Sequence, residues 1–407
     1  MKAATVAALA LAVAACSSSS SGGGGVDLPP ASGACPRAVA VASSDYASSS
    51  ISVSSTEGKL LRAALLTSGS RSAGASQAFS GDVVLPTSRP KSGRLVLVDR
   101  YPNSVITFVD VASGEVQGQL GVATGFPSNP HDYLETRDGR AFVTRYETNT
   151  RPGREPFDAG GDVLVIETTS PRPRIVGRID LAQADDGGFQ PRPDRMIDVD
   201  GTAWVLLQRF DASFKGAADA RIVGIDAARE AVTFRVDLPS TANCGAIARS
   251  PSGKLVAVAC SGLLGDRGQA GQRSAVVVLD AAASPPRVTA RVDASAVGGA
   301  AFAPQIGFAS EGVLLAGTYG SLDDGRTDSL VTVDVASGAV SRLDDVGQAF
   351  ALGDIRCAPG CGACLVADAR ANALRVFYTG SDGRPVERAR ERVDAVTGLP
   401  PRYLGFL

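Results

Sequence analysis

The stretch Val-Asp-Val-Ala-Ser-Gly occurs at residues 109–114 and again at residues 333–338. Degenerate copies of it lie between these two, at residues 165–169, 224–228 and 278–282. The acidic residue of each copy recurs at intervals of roughly 54 to 59 residues, just above the blade periods of propeller repeats. This recurrence predicts a repeat architecture for the body of the chain.

The surroundings of each copy follow one pattern. A turn comes first and an apolar run follows it, as at residues 250–253 and 255–259 before the copy at 278–282. A further short run follows each copy, such as residues 232–238 after the copy at 224–228. Apolar runs of four to eight residues bounded by Gly, Pro, Asp and Ser are typical of strands and hairpins. Since no segment keeps a 3.6-residue period, we expect almost no helix.

Four antiparallel strands repeated radially form a β-propeller, and we predict an all-β protein with seven blades. One blade is split: residues 38–68 supply three strands, and residues 402–407 supply the innermost strand and close the ring. The other six blades are predicted at residues 79–122, 131–181, 192–238, 243–295, 303–346 and 351–393.

The first residues have the pattern of an export signal. Lys2 precedes an apolar run at residues 3–15, which is too short to span a bilayer and ends in small residues before Cys16. We therefore predict a signal peptide over residues 1–15, a Ser/Gly-rich tether over 16–34 and the propeller over 35–407.

Two resemblances add to this interpretation. Residues 13–16 resemble the lipobox of bacterial lipoproteins, which implies cleavage before Cys16 and a lipid on that cysteine. Residues 129–146 resemble the innermost hairpin of YVTN-type propellers, and residues 198–210 look like the next blade in lipid-anchored members. The resemblance implies a lipid-anchored envelope protein, at the outer membrane because Ser17 is not aspartate. It implies no reaction, since propellers host many functions.

Six cysteines remain if Cys16 carries lipid, and an even number in an exported chain predicts up to three disulfides among fifteen possible pairings. Cys244 and Cys260 are expected to pair across one hairpin. For the rest we favour Cys357–Cys364, which leaves Cys35–Cys361. The alternative for residues 357–364 is a zinc knuckle, which needs a fourth ligand.

Charge and histidine content exclude several functions. The net charge of −2 and the pI near 5.7 provide no basic patch, so we expect no nucleic-acid partner. His131 is the single histidine, which excludes multi-histidine zinc sites and leaves His131 as the one possible base of a Ser-His-Asp arrangement. It falls at the start of an innermost strand, as a catalytic or ligand-binding group or as a packing position of the family motif.

The predicted blades bring one residue of each innermost strand to the channel mouth. A carboxylate ring there could bind calcium, as lactonase-type propellers bind a metal, or a cationic ligand. The alternative is a set of solvated loop carboxylates balanced by arginines. A shift of one residue in register would exchange the two faces of a strand. The candidates are His131, Asp82, Asp132, Asp194, Asp354 and Arg402, with Gln305 and Arg195 close by.

Three functions are compatible with the sequence. The first is a non-catalytic envelope lipoprotein whose propeller, a monomeric domain held to the membrane by its lipid, binds a protein or glycan partner. This comes first because no catalytic constellation is evident. The second is a metal-dependent enzyme, lactonase- or lyase-like, that uses the carboxylate ring. The third is a structural subunit of an outer-membrane assembly.

Overall fold

The computed structural model describes residues 25–30, 32–33, 35–69, 74–136, 139–169, 172–184, 188–262, 271–323 and 325–407. The predicted signal peptide, Cys16 and the first half of the tether lie outside these residues. Within them the chain forms seven four-stranded antiparallel sheets, which confirms the all-β seven-bladed propeller.

Twenty-eight strands follow one another along the described residues. They are β1 (Val39–Ser44), β2 (Ser49–Ser54), β3 (Leu60–Thr67), β4 (Val83–Val84), β5 (Leu95–Asp99), β6 (Val105–Val109), β7 (Val116–Gly121), β8 (Pro130–Glu135), β9 (Arg140–Thr148), β10 (Gly160–Glu167), β11 (Arg174–Asp180), β12 (Pro193–Val199), β13 (Thr202–Leu207), β14 (Arg221–Asp226), β15 (Ala231–Asp237), β16 (Cys244–Arg249), β17 (Leu255–Cys260), β18 (Ala275–Asp280), β19 (Arg287–Asp293), β20 (Phe302–Phe308), β21 (Val313–Thr318), β22 (Ser329–Asp334), β23 (Val340–Asp345), β24 (Leu352–Ala358), β25 (Ala363–Asp368), β26 (Ala373–Thr379), β27 (Pro385–Arg392) and β28 (Pro401–Phe406).

Blades 2 to 7 each contain four consecutive strands, from β4–β7 to β24–β27, and blade 1 has the order β28-β1-β2-β3. Strand β28 runs antiparallel to β1, with Val39 opposite Phe406 and Val41 opposite Leu404. The C-terminal strand therefore completes the first blade, as the sequence predicts. The first strands of successive blades contact one another from β8 through β12, β16, β20 and β24 to β28, so they surround the centre of the ring.

The repeated acidic residue has a structural role at the turn between the third and fourth strands of a blade. The Oδ1 atom of Asp110 accepts a hydrogen bond from the Ser113 backbone N–H at 2.8 Å, and Asp334 does the same with Ser337. Short Asp side chains commonly bind a backbone N–H a few residues further along in such turns. The five copies of the repeat therefore mark the end of the third strand in blades 2 to 6.

The core lies between the blades. Side chains of the second strands are almost wholly inaccessible, including Phe142 on β9 and Trp204 on β13. The fourth strands are more exposed, and in β15 exposed and half-buried residues alternate, because the outer edge of the blade meets solvent. Burial is therefore greatest in the middle of each blade, and the first strands line the centre of the ring.

Three disulfides join the six cysteines in the pairs that the sequence favours. Cys244–Cys260 crosses from β16 to β17, and Cys357–Cys364 crosses from β24 to β25. Cys35–Cys361 links the segment before β1 to blade 7. The zinc knuckle proposed for residues 357–364 is wrong for this structure, because disulfide sulfurs are not thiolate ligands.

Helical structure among the described residues is limited to short 3-10 turns. None of the helices in this part of the chain is long and apolar enough to cross a membrane.

Candidate functional site

A cavity of about 530 Å³ opens at the centre of the ring. Six of the seven first strands line it, and only β4 of blade 2 does not. Blade 2 instead contributes Arg100, the residue after β5. We call this space the central cavity. Its lining includes Arg100, His131, Tyr146, Asp194, Arg195, Gln208, Gln305, Asp354, Arg356, Arg402 and Tyr403.

The structure brings four of the six sequence candidates into this cavity: His131, Asp194, Asp354 and Arg402. Gln305 and Arg195 lie there as well. Asp82 lies outside the cavity lining, and its Oδ1 accepts a hydrogen bond from Nε of Arg100 at 3.0 Å. Asp82 therefore orients a cavity arginine and is not itself in the lining.

Asp132 does not face the cavity, and its placement there was wrong. Its Oδ1 accepts from the backbone N–H of Thr87 at 2.9 Å, and its Oδ2 accepts from that of Met196 at 2.7 Å. The carboxylate of Asp132 is thus occupied between neighbouring blades and is not part of the cavity lining. Asp132 is wholly buried and joins blades 2, 3 and 4.

The most specific feature of the cavity is a pair formed by His131 and Asp194. Nδ1 of His131 lies 2.8 Å from Oδ1 of Asp194. A carboxylate at this position accepts the Nδ1 proton, which leaves Nε2 as the unprotonated nitrogen of the neutral ring. Among the described residues, no side chain or backbone group hydrogen-bonds to Nε2 of His131.

Two further side chains hold this pair in place. Gln208 donates from Nε2 to Oδ2 of Asp194 at 2.7 Å, and its Oε1 accepts from the Tyr146 hydroxyl at 2.7 Å. The Tyr146 ring stacks on the His131 ring, with centroids 4.2 Å apart and planes 9° from parallel. The chain Tyr146–Gln208–Asp194 therefore fixes both the position and the tautomer of His131.

Burial and the nearby arginines set the proton affinities of the pair. Burial lowers the pKa of His131 below its ordinary value of 6.5, and Arg100 and Arg195 act in the same direction against Asp194. Burial alone would raise the pKa of Asp194, yet His131, Arg195 and Arg100 together hold it below its ordinary value. At neutral pH the pair is a neutral imidazole beside a carboxylate.

Arginines also line the cavity at several points. Arg100 reaches the Tyr403 hydroxyl at 3.1 Å, and Arg195 donates to the backbone oxygen of His131 at 3.3 Å. Arg402 binds the backbone oxygens of Ser44 and Phe350 and has no carboxylate partner among the described residues. Its charge is available to an anionic or strongly polar ligand.

The carboxylates of the cavity do not form the predicted calcium ring. In the described part of the chain no three His, Cys, Asp or Glu side chains come together as a metal site. Asp194 is engaged by His131 and Gln208, while Asp354 pairs with Arg356 at 2.9 Å and accepts the Leu404 backbone N–H. The donor set therefore does not fit calcium, which requires six to eight oxygen ligands.

Several cavity residues were missed by the sequence analysis. Arg100, Gln208 and Tyr319 each directly follow the second strand of a blade: β5, β13 and β21. A polar or aromatic residue immediately after an otherwise apolar second strand is the signal that could have found them.

Comparison with known proteins defines the fold class. No protein-family model matches the chain, and no curated protein matches it significantly. Among solved structures, the periplasmic gluconolactonase PpgL of Pseudomonas aeruginosa is 16% identical with a TM-score of 0.57, covering 91% of this chain and 98% of its own. A putative 6-phosphogluconolactonase of Bacteroides uniformis is 13% identical with a TM-score of 0.56, covering 91% and 99%. A protein from Lactobacillus plantarum is 11% identical with a TM-score of 0.59, covering 92% and 100%. At these identities the likeness establishes the propeller fold alone. The structural neighbours of this chain include lactonase-like propellers.

Proposed function

We propose that the protein hydrolyses a sugar-derived lactone in the central cavity without a metal ion. The observation that carries the proposal is the His131–Asp194 pair: Nε2 of His131 has no hydrogen-bond partner among the described residues, and the same cavity contains Arg402. The lactonase names among the structural neighbours support the same chemistry. An enzymatic function is therefore placed ahead of partner binding, although the sequence alone favours partner binding.

The reaction uses His131 as a general base and then as a general acid. Nε2 takes a proton from water as the water oxygen bonds to the lactone carbonyl carbon. The carbonyl oxygen gains negative charge, which the guanidinium groups of Arg195 and Arg402 stabilise. The ring C–O bond then breaks, and its oxygen takes the proton from Nε2. One water is consumed, and the product is a hydroxy acid.

The test is lactone hydrolysis by purified residues 35–407, followed through acid release from glucono-δ-lactone in the presence of EDTA. We expect His131→Gln to lower kcat/KM by about 100- to 10,000-fold, the usual contribution of a general base. Asp194→Asn should also lower it strongly, because an amide no longer fixes the tautomer. Asp293→Asn, on outer strand β19, is the matched control.

Equal activity of the His131→Gln variant and the wild type would overturn the catalytic role of this residue. Activity that EDTA abolishes would overturn the metal-free mechanism. The two non-catalytic hypotheses, partner binding and a structural role in an outer-membrane assembly, both predict no turnover above the spontaneous rate. They stay predictions.

We also propose that the protein is exported and anchored to the cell envelope by a lipid on Cys16. The three disulfides support an oxidising compartment outside the cytoplasm. Mass spectrometry of membrane fractions tests the anchor: a Cys16→Ser variant should lose both the lipid mass and membrane association.

A further inference from the structure

The exposed aromatic side chains of this protein are concentrated in one region. The four most exposed are Tyr46, Tyr101, Phe214 and Phe350, with exposed fractions from 41% to 64%. Three of them line the central cavity, and Tyr101 lines a second cavity beside it. Aromatic rings left in water are informative when they cluster, because such clusters mark binding sites.

The second cavity has a volume of about 350 Å³ and lies between blades 2 and 3. We call it the Tyr101 cavity. Asn129 and Glu147 line both cavities, so the two spaces are adjacent. The lining consists of Tyr101, Phe126, Pro127, Asn129, Glu147, Thr148, Asn149 and Thr150.

The lining combines flat apolar rings with hydrogen-bonding groups. Tyr101 is 64% exposed and has no ring or cation partner among the described residues, so its faces are free for a ligand. Asn129 lines both cavities, and its buried Oδ1 atom has no hydrogen-bond partner among the described residues. An unpaired buried acceptor costs free energy unless a ligand or water satisfies it.

These properties match a sugar ring, which has apolar C–H faces and a rim of hydroxyl donors. A ring face would stack on the exposed Tyr101 ring, while the hydroxyl rim would meet the polar side chains of the lining. A ligand that fills both cavities must therefore have two connected rings. The central cavity would hold the lactone ring, and the Tyr101 cavity would hold the second ring.

We propose that the Tyr101 cavity is a second saccharide subsite and that the substrate is the lactone of a disaccharide acid or of a longer one. This inference rests on the proposed function, since it takes the central cavity as the site of the lactone ring.

Binding and hydrolysis are measured separately to test it. Calorimetry compares gluconate with cellobionate and lactobionate, in which a hexose is attached to gluconate. We expect at least one disaccharide acid to bind about tenfold more tightly than gluconate, the gain that one stacked ring can supply. Tyr101→Ala should remove that difference and leave gluconate affinity unchanged, while Tyr101→Phe should keep it. Val396→Ala, an exposed apolar side chain in neither cavity, is the control.

Equal affinity for all three acids, or a difference that survives Tyr101→Ala, would overturn the subsite. The His131→Gln variant separates the two proposals, because it should lose hydrolysis and retain the affinity difference. A wild-type protein that shows the affinity difference but no hydrolysis would support the subsite and overturn the lactonase function.

Discussion

Asp194 determines which nitrogen of His131 carries its proton. Because the carboxylate accepts the Nδ1 proton at 2.8 Å, the lone pair of Nε2 is the one left for chemistry. Gln208 and Tyr146 hold the His131–Asp194 pair in position, and neither side chain carries a charge. A single histidine can therefore serve as a positioned base, although the chain has no other imidazole to assist it.

The lowered pKa of His131 predicts the pH dependence of activity. A general base works only when unprotonated, so kcat/KM should fall as the pH decreases through the pKa of His131 in the folded protein. Since burial lowers that pKa, the midpoint of the acid limb should lie below 6.5. A pH–rate profile in EDTA measures it, and a midpoint at 7 or above would contradict the prediction.

The same shift affects stability in a defined direction. In the unfolded chain His131 binds a proton near its ordinary pKa, whereas the folded protein resists protonation. The free energy of unfolding should therefore decrease as the pH falls below 6.5. His131→Gln removes this contribution and serves as the control in urea titrations between pH 5 and 7.

The side-chain contacts of the cavity were harder to predict than the residues themselves. His131 and Asp194 are 63 residues apart and belong to different blades, so their contact depends on the register of two first strands. Asp132, the residue after His131, instead binds backbone N–H groups of two neighbouring blades. A sequence indicates which residues are polar, but the face that each one occupies depends on registers that local patterns leave open.

Blade 3 contains a charged cluster that links three consecutive strands. Arg145 on β9 binds both oxygens of Asp162 on β10 at 2.7 Å, and Arg178 on β11 adds a contact at 3.0 Å. Both Arg145 and Asp162 are wholly buried. Removing one partner of such a pair leaves an uncompensated buried charge.

We therefore expect Asp162→Asn to lower the free energy of unfolding by about 3–5 kcal/mol. Asp180→Asn is the matched control, because Asp180 also pairs with Arg178 but is partly exposed. Its cost should stay below about 1 kcal/mol. Urea denaturation measures both variants. Similar losses in the two would show that the buried cluster contributes no more than a surface ion pair.

The strands themselves were predictable to within a few residues, since apolar runs and turn residues are local signals. The main departure is blade 2, predicted from residue 79, where β4 covers only Val83–Val84. Pro86 and Pro90 follow this strand, and proline cannot donate to a sheet ladder. The shortened strand explains why blade 2 reaches the central cavity through Arg100 instead.

At the scale of the whole molecule, a strand pairing and a disulfide help to hold blade 1 in the ring. Strand β28 pairs with β1, and the Cys35–Cys361 disulfide ties the segment before β1 to blade 7. The disulfide spans 326 residues of sequence, far more than the other two. In the chain-entropy account, a link of this length restricts the unfolded chain most.

Replacing both Cys35 and Cys361 with alanine should lower the free energy of unfolding by about 2–5 kcal/mol. The loss should appear first at the junction of blades 1 and 7. Hydrogen exchange of β1 and β28 should become faster, while exchange of β13 and β14 in blade 4 stays unchanged. Uniform acceleration in all blades would contradict a local role for this disulfide.

Ring closure by β28 also has a consequence for the order in which the protein can fold. A chain that emerges from a ribosome or a translocation pore presents residues 39–44 long before residues 401–406. During that interval β1 has an unpaired inner edge, which is open to strand addition by other chains. Blade 1 can therefore be completed only after β28 has arrived, and until then its open edge is exposed to aggregation.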